Sequence, residues 1–165
     1  MTNQPNNTTE LPAEQLRDAV NALMHTVTTL LEGEASLATL ETALKSHDAL
    51  LDQLAIHSLD ASTLAALERI EHFITQHAGL YYQSATESLD NKQSNRFISL
   101  FARRLLALDG LGPATAHQLF QLGIYTPEQL FMLTPGEVAQ LQLPSTTLAR
   151  LIPLHAQHAT LTRAS

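Results

Sequence analysis

The sequence predicts an all-α fold, with a three-helix N-terminal module followed by a compact C-terminal module of short helices. Three observations predict it. Leu and Ala dominate an apolar content of 44%, a composition that favours packed helices over sheets. Apolar residues recur at spacings of three and four along most of the chain. Strand signals are poor: no alternating apolar and polar run exceeds a few residues, and the one Asp-Gly pair, Asp109-Gly110, follows a helical stretch. A length of 165 residues suits one domain or two small ones.

Residues 1–10, MTNQPNNTTE, are polar and uncharged up to Glu10, and a disordered tail is expected there. Leu16, Val20, Leu23, Val27 and Leu30 draw one stripe, which predicts a first helix over Ala13–Leu31 with Gly33 as its stop. Leu37, Leu40, Leu44, His47, Leu51 and Leu54 predict a second helix from Leu37 to about Ile56, with His47 where an apolar residue is expected. Asp60 or Ser62 is the candidate N-cap of a third helix carrying Leu64, Leu67, Ile70, Ile74, His77 and Tyr81. Residues 83–95 form a polar connector whose first part can extend that helix. A fourth helix is expected from near Ser94, with Phe97, Leu100, Phe101, Leu105 and Leu108. These boundaries give an acidic helical module over residues 11–95, a compact module over 96–158 and a tail over 159–165.

The stretch LDGLGPATA, Leu108 to Ala116, spends two of the chain's six glycines in one turn. Gly110 follows a helix and is free to adopt positive φ. Gly112 turns the backbone again, and Pro113 suits a first helical position, where a missing N–H is harmless. The next helix ends at Gly123. Thr126-Pro127 with Gln129, and Thr134-Pro135 with Glu137, are capping-box sequences for two further short helices.

This segment resembles the helix-hairpin-helix family in its duplicated form, over residues of about 97–152. Leu108–Ala116 matches the first hairpin, and LGIYTPEQLFMLTPGEVAQL, Leu122 to Leu141, matches the family's next portion. The resemblance implies a hairpin that offers backbone amides at a helix N-terminus to a nucleic-acid phosphate, without reading bases. Gly110, Leu111, Gly112, Ala114 and Thr115 would then form the site, with the amides of the last four as donors. Arg103, Arg104 and Arg150 are candidate phosphate contacts, with Arg163 a further cation nearby. Three positions depart from the family. Ala114 stands where DNA-binding members commonly carry Lys or Arg. The second hairpin reads LQLPSTTLARL, with Gln142 and Pro144 where glycines would fall, and Pro144 has no amide to give. The second unit is therefore expected to keep the fold and lose the anion site.

Charge bears on both available readings. Net charge is −7, with five basic and thirteen acidic side chains over residues 1–98 and four against three over residues 99–165. The first part would repel a polyanion; the second tolerates one. Three arginines near one site would give a log–log salt slope of roughly −2 to −3 on duplex DNA, so weak, sequence-independent binding is expected. The alternative is a protein-interaction adaptor or oligomerisation module that keeps the fold without DNA binding. Its support is the missing basic residue at 114, the altered second hairpin and the acidic leucine-striped helices, which suit a protein partner or a homo-oligomer.

The remaining motifs point away from other classes. With no cysteine there is no disulfide, thiol nucleophile or thiolate metal site. His155 and His158 share a helix face, but no carboxylate sits at a supporting spacing, so no metal and no cofactor is expected. No Gly-x-Ser-x-Gly, phosphate-cradling lysine loop or Gly-x-Gly-x-x-Gly is present, and a non-enzymatic protein is expected. No stretch approaches 18 consecutive apolar residues, and the N-terminus lacks the basic and apolar regions of a signal peptide, so a cytoplasmic protein without a membrane partner is expected.

Overall fold

A computed structural model of the chain describes residues 13–56 and 59–163. The expected N-terminal tail lies outside them. Among the described residues there are nine α-helices, one 3₁₀ turn and no strand, so the fold is all-α. The helices are α1 (Ala13–Leu31), α2 (Leu37–Ala55), α3 (Ala61–Ala85), α4 (Asn91–Phe101), α5 (Arg103–Leu106), α6 (Pro113–Gln121), α7 (Pro127–Met132), α8 (Pro135–Ala139) and α9 (Ser145–Arg163). Contacts divide the chain into two units between Ile74 and Thr75, inside α3. The sequence pattern puts the division at 95–96, in the polar connector. It falls earlier because the second half of α3 buries Tyr82 against Phe97 and Phe120, from further along the chain.

In the first unit α1 packs against α2. Their link is tightly specified. Gly33, at φ +84°, closes α1, with Gly33 N–H donating to Leu30 and Glu34 N–H to Thr29. Ser36 and Thr39 then form a reciprocal capping box on α2. Leu23, Leu50 and Leu67 make a buried cluster, flanked by Leu16, Val27, Leu54 and Ile70. Two stripe residues stay at the surface: Val20 is 40% and Leu64 is 42% exposed. On α1 the buried line turns instead through Thr26, whose hydroxyl is satisfied by the Leu23 carbonyl at 2.9 Å. His47 is fully buried, with Nε2 3.0 Å from the Leu67 carbonyl and Nδ1 3.0 Å from the Asp48 carboxylate. His47 thus fills the apolar position of the stripe as a buried imidazole with both ring nitrogens partnered.

In the second unit most of the residues expected as a connector are helical. α3 continues to Ala85, and Asp90 with Gln93 forms a capping box that starts α4 at Asn91. The expected fourth helix is two, because the backbone bends at the buried Ala102, at φ −98° and ψ 16°. Phe101 and Leu105 are buried on either side of that bend. The core is aromatic. Tyr82 stacks on Phe97 with centroids 5.4 Å apart and meets Phe120 edge-on at 5.9 Å. Phe97 touches Phe101 at 4.5 Å, and Phe120 meets Tyr125 at 5.2 Å. Here Tyr82, 1% exposed, takes the core position that the stripe assigned to Tyr81.

The C-terminal helices follow their caps. Gly123, at φ +85°, ends α6, with Ile124 N–H reaching back to Leu119 at 2.9 Å. Thr126 caps α7 and Thr134 caps α8. The Gln129 side chain departs from a simple box: its Oε1 accepts the Tyr125 amide at 2.8 Å. α7 and α8 both pack on α9. α9 buries Leu151 and His155, whose Nε2 donates to the Leu133 carbonyl at 2.7 Å. That anchoring carries the helix past Pro153 to Arg163, so residues 159–163, a tail by sequence pattern, are helical.

Gly79 sits within α3, where glycine costs about 1 kcal/mol relative to alanine. The reason is space: a Cβ there would lie 2.4 Å from the Tyr125 ring, and that ring is 3% exposed with its hydroxyl donated to Gln83. Gly79→Ala is therefore expected to destabilise the protein by about 1–3 kcal/mol despite the gain in helix propensity. Thermal or urea unfolding monitored by circular dichroism checks it, and a neutral or stabilising result would show that Tyr125 is free to move.

Candidate nucleic-acid interface

The hairpin joins α5 to α6. Its first glycine is conformational: Gly110 has φ +86° within a turn closed by Leu111 N–H donating to the Leu108 carbonyl at 3.2 Å. This removes one expected donor. The Leu111 amide is spent inside the turn, and its side chain, 6% exposed, is part of the core. Gly112 is different. It is the N-cap of α6 in ordinary extended backbone, φ −95° and ψ 175°, and a Cβ on it would meet nothing within 4 Å. Neither strain nor crowding calls for glycine there.

The consequence is a bare helix terminus. Side chains cap α2, α3, α4, α7 and α8, through Ser36, Asp60, Asp90, Thr126 and Thr134. No side chain caps α6. Among the described residues the amides of Gly112, Ala114 and Thr115 meet no acceptor, while the first α6 bond runs from Ala116 N–H to the Gly112 carbonyl at 3.1 Å. Gly110, Gly112 and Ala114 are exposed and Thr115 is half-buried. Three of the four expected donors thus face the same helix end, where the peptide dipoles place partial positive charge.

The cations are less available than the sequence suggested. Arg104 Nη2 lies 2.9 Å from Glu128 Oε1, an ion pair between α5 and the first turn of α7. Arg103 is half-buried and also engaged. Arg150 is exposed on α9, one residue before the buried Leu151. Asp109 sits exposed beside Gly110. The α8–α9 connection, Leu141 to Pro144, has Leu143 N–H tied to the Leu141 carbonyl at 2.8 Å, and the carbonyl of Pro144 accepts from Thr147 and Leu148.

A polar cluster that the sequence pattern does not single out holds α6 from behind. Tyr82 O–H lies 2.6 Å from His117 Nδ1 and 3.1 Å from Ser94 Oγ, and His117 Nε2 lies 3.2 Å from Asn95 Oδ1. An Nε2–H donated to Asn95 leaves Nδ1 to accept the buried phenol, which is the neutral tautomer. His117 lies four residues after Pro113 and so ties the hairpin helix to α3 and α4. The only local hint in the sequence is a lone His on an otherwise uncharged helix. His158 stacks on Phe131 at 3.7 Å, and no group of three or more His, Asp or Glu suited to a metal ion occurs among the described residues. No helix among them is long and apolar enough to cross a membrane.

Comparison of the chain with protein-family models, with curated proteins and with solved structures returns no match.

Burial in this cluster lowers the His117 pKa from its ordinary 6.5. The unfolded chain therefore takes up this proton at higher pH than the folded one, and stability rises with pH across that interval. The His117 contribution is complete above the ordinary value and is lost as pH falls from there through the folded value. His117→Gln should flatten this part of the profile, checked by urea midpoints measured between pH 5 and 8; an unchanged profile would remove His117 as its source.

Proposed function

We propose that this chain is a non-enzymatic binding protein whose second unit holds nucleic-acid backbone without sequence preference at the N-terminus of α6. The reading rests on one observation: Gly112, where neither conformation nor packing requires glycine, leaves the amides of residues 112, 114 and 115 bare, on a turn where Gly112 and Ala114 are exposed and Thr115 is half-buried. A tetrahedral oxyanion can accept from such convergent amides, and a Cβ or a capping side chain at 112 would stand in its way. The resemblance of Leu108–Ala116 to a helix-hairpin-helix turn agrees with this use. With Arg104 paired to Glu128, few free cations add to the contact, so affinity is modest and the salt slope shallow.

A second reading is favoured by a different observation. On α1, Val20, Met24 and Leu31 are 40%, 55% and 66% exposed along one edge, on a unit rich in carboxylates. That edge suits a protein partner or a second copy, in an adaptor that retains the hairpin as scaffold only.

Gly112→Asp separates the two. Asp is a better N-cap than Gly by a few tenths of a kcal/mol, so the variant should fold with equal or slightly higher stability. Its carboxylate would fill the anion position and repel phosphate. Fluorescence anisotropy with labelled DNA at low salt should show binding by the wild type and a loss of at least tenfold in the variant. Absence of wild-type binding at tens of micromolar protein, or a variant that binds equally, would leave the adaptor reading.

A further inference from the structure

α1 carries a line of apolar side chains at the surface of the first unit. Val20, Met24 and Leu31 are 40%, 55% and 66% exposed, and Val27, between them, is half-buried. Their spacings are four, three and four, the repeat of a coiled-coil seam. At about 100° per residue they fall within roughly 60° of one another. The buried Leu23 and Leu30 lie to one side of this line. Glu14, Asp18 and Glu32, the carboxylates of α1 and its closing turn, lie about 110–150° round the helix from it. The seam is therefore apolar although the unit that bears it is acidic.

The spacing of these residues reads the same in either direction. A second α1 laid antiparallel, with Met24 facing Val27, also sets Val20 against Leu31, so every apolar residue of one seam meets one of the other. The same register sets Arg17 against Glu34, both exposed, at each end of the contact. A parallel pair in register would set Arg17 against Arg17 and Glu34 against Glu34. We propose that the α1 seam pairs two copies of this chain antiparallel about a two-fold axis, an inference that rests on the exposed α1 edge of the second reading and names its partner. A two-fold contact needs a surface complementary to itself. The palindromic spacing, with opposite charges at its two ends, supplies that, and a different protein would require neither. Three exposed side chains from each copy make a small interface, so a dissociation constant on the order of 10–100 µM is expected.

Sedimentation equilibrium of the full chain, on both sides of that range, should show monomer passing to dimer. Met24→Lys sets two charges beside the two-fold axis and should weaken the dimer by about tenfold or more, with helical circular dichroism unchanged. Met132→Lys, on the second unit where Met132 is 83% exposed, should leave it intact. Arg17→Glu alone and Glu34→Arg alone should each weaken it by about threefold or more, and the double exchange should restore it. Arg17 and the end of α1 at Leu31 are about 21 Å apart along the axis, so a restored pair joins two chains rather than one. A monomer throughout the range overturns the proposal and leaves the edge to another protein, so the adaptor reading survives it. A dimer that withstands Met24→Lys, or is lost with Met132→Lys, places the contact elsewhere and overturns it. Failure of the double exchange to restore the dimer overturns the antiparallel pairing. None of these outcomes bears on anion binding at α6, which Gly112→Asp tests by itself.

Discussion

Burying a tyrosine hydroxyl obliges its surroundings to supply a hydrogen-bond partner, and in the second unit that obligation falls on Tyr82. Its ring stacks on Phe97 of α4 and meets Phe120 of α6, while its hydroxyl reaches His117 of α6 and Ser94 of α4. One side chain from α3 therefore fixes both the distance and the rotation of two other helices. A change in either rotation would strand the phenol without its partners, at about 1–3 kcal/mol for an unsatisfied buried polar group. With α6 held this way by Phe120 and His117, its first turn is left at the surface, where Gly112 and Ala114 are exposed. The bare amide terminus is a product of that clamp.

The clamp also explains why the hairpin needs little from its own sequence. Gly110 supplies a positive φ and Leu111 a buried anchor, and the turn is closed by a single backbone bond to Leu108. Gly112 gives the fold only its carbonyl, which accepts the first α6 bond from Ala116 N–H. A side-chain cap there would improve stability by only a few tenths of a kcal/mol, so leaving it off costs the protein almost nothing.

Legibility in the sequence tracks the range of each interaction. Helix boundaries set by local chemistry were legible: the first helix, Gly33, the caps at Asp60 and Thr134, and the turn at Gly110 all act within five residues of themselves. The all-α class came from periodicity and composition alone. The bend at Ala102 was not legible, because it answers to burial of Phe101 and Leu105 rather than to any breaker residue. Tyr82 in place of Tyr81 differs by one position of helix phase, which only the Phe97 and Phe120 rings decide. The ion pair of Arg104 with Glu128 spans 24 residues, and nothing in the neighbourhood of either residue announces it. Gly79 carried a signal that could have been used: a lone glycine inside a helical pattern implies a close approach, and the Tyr125 ring is what approaches.

The energetics of a bare terminus limit what it can do alone. A helix end contributes roughly 0.3–1 kcal/mol toward holding an anion at an exposed position, against about 8 kcal/mol for a micromolar complex. Arginines would ordinarily supply part of the difference, but Arg104 is committed to Glu128, and Arg103 is engaged as well. The acidic side chains of the first unit act in the opposite sense, though their field is screened over about 8 Å at physiological salt. The missing affinity must then come from uncharged contacts or from several sites acting together. An apolar contribution would raise affinity without changing the salt slope, which the number of phosphates touched sets.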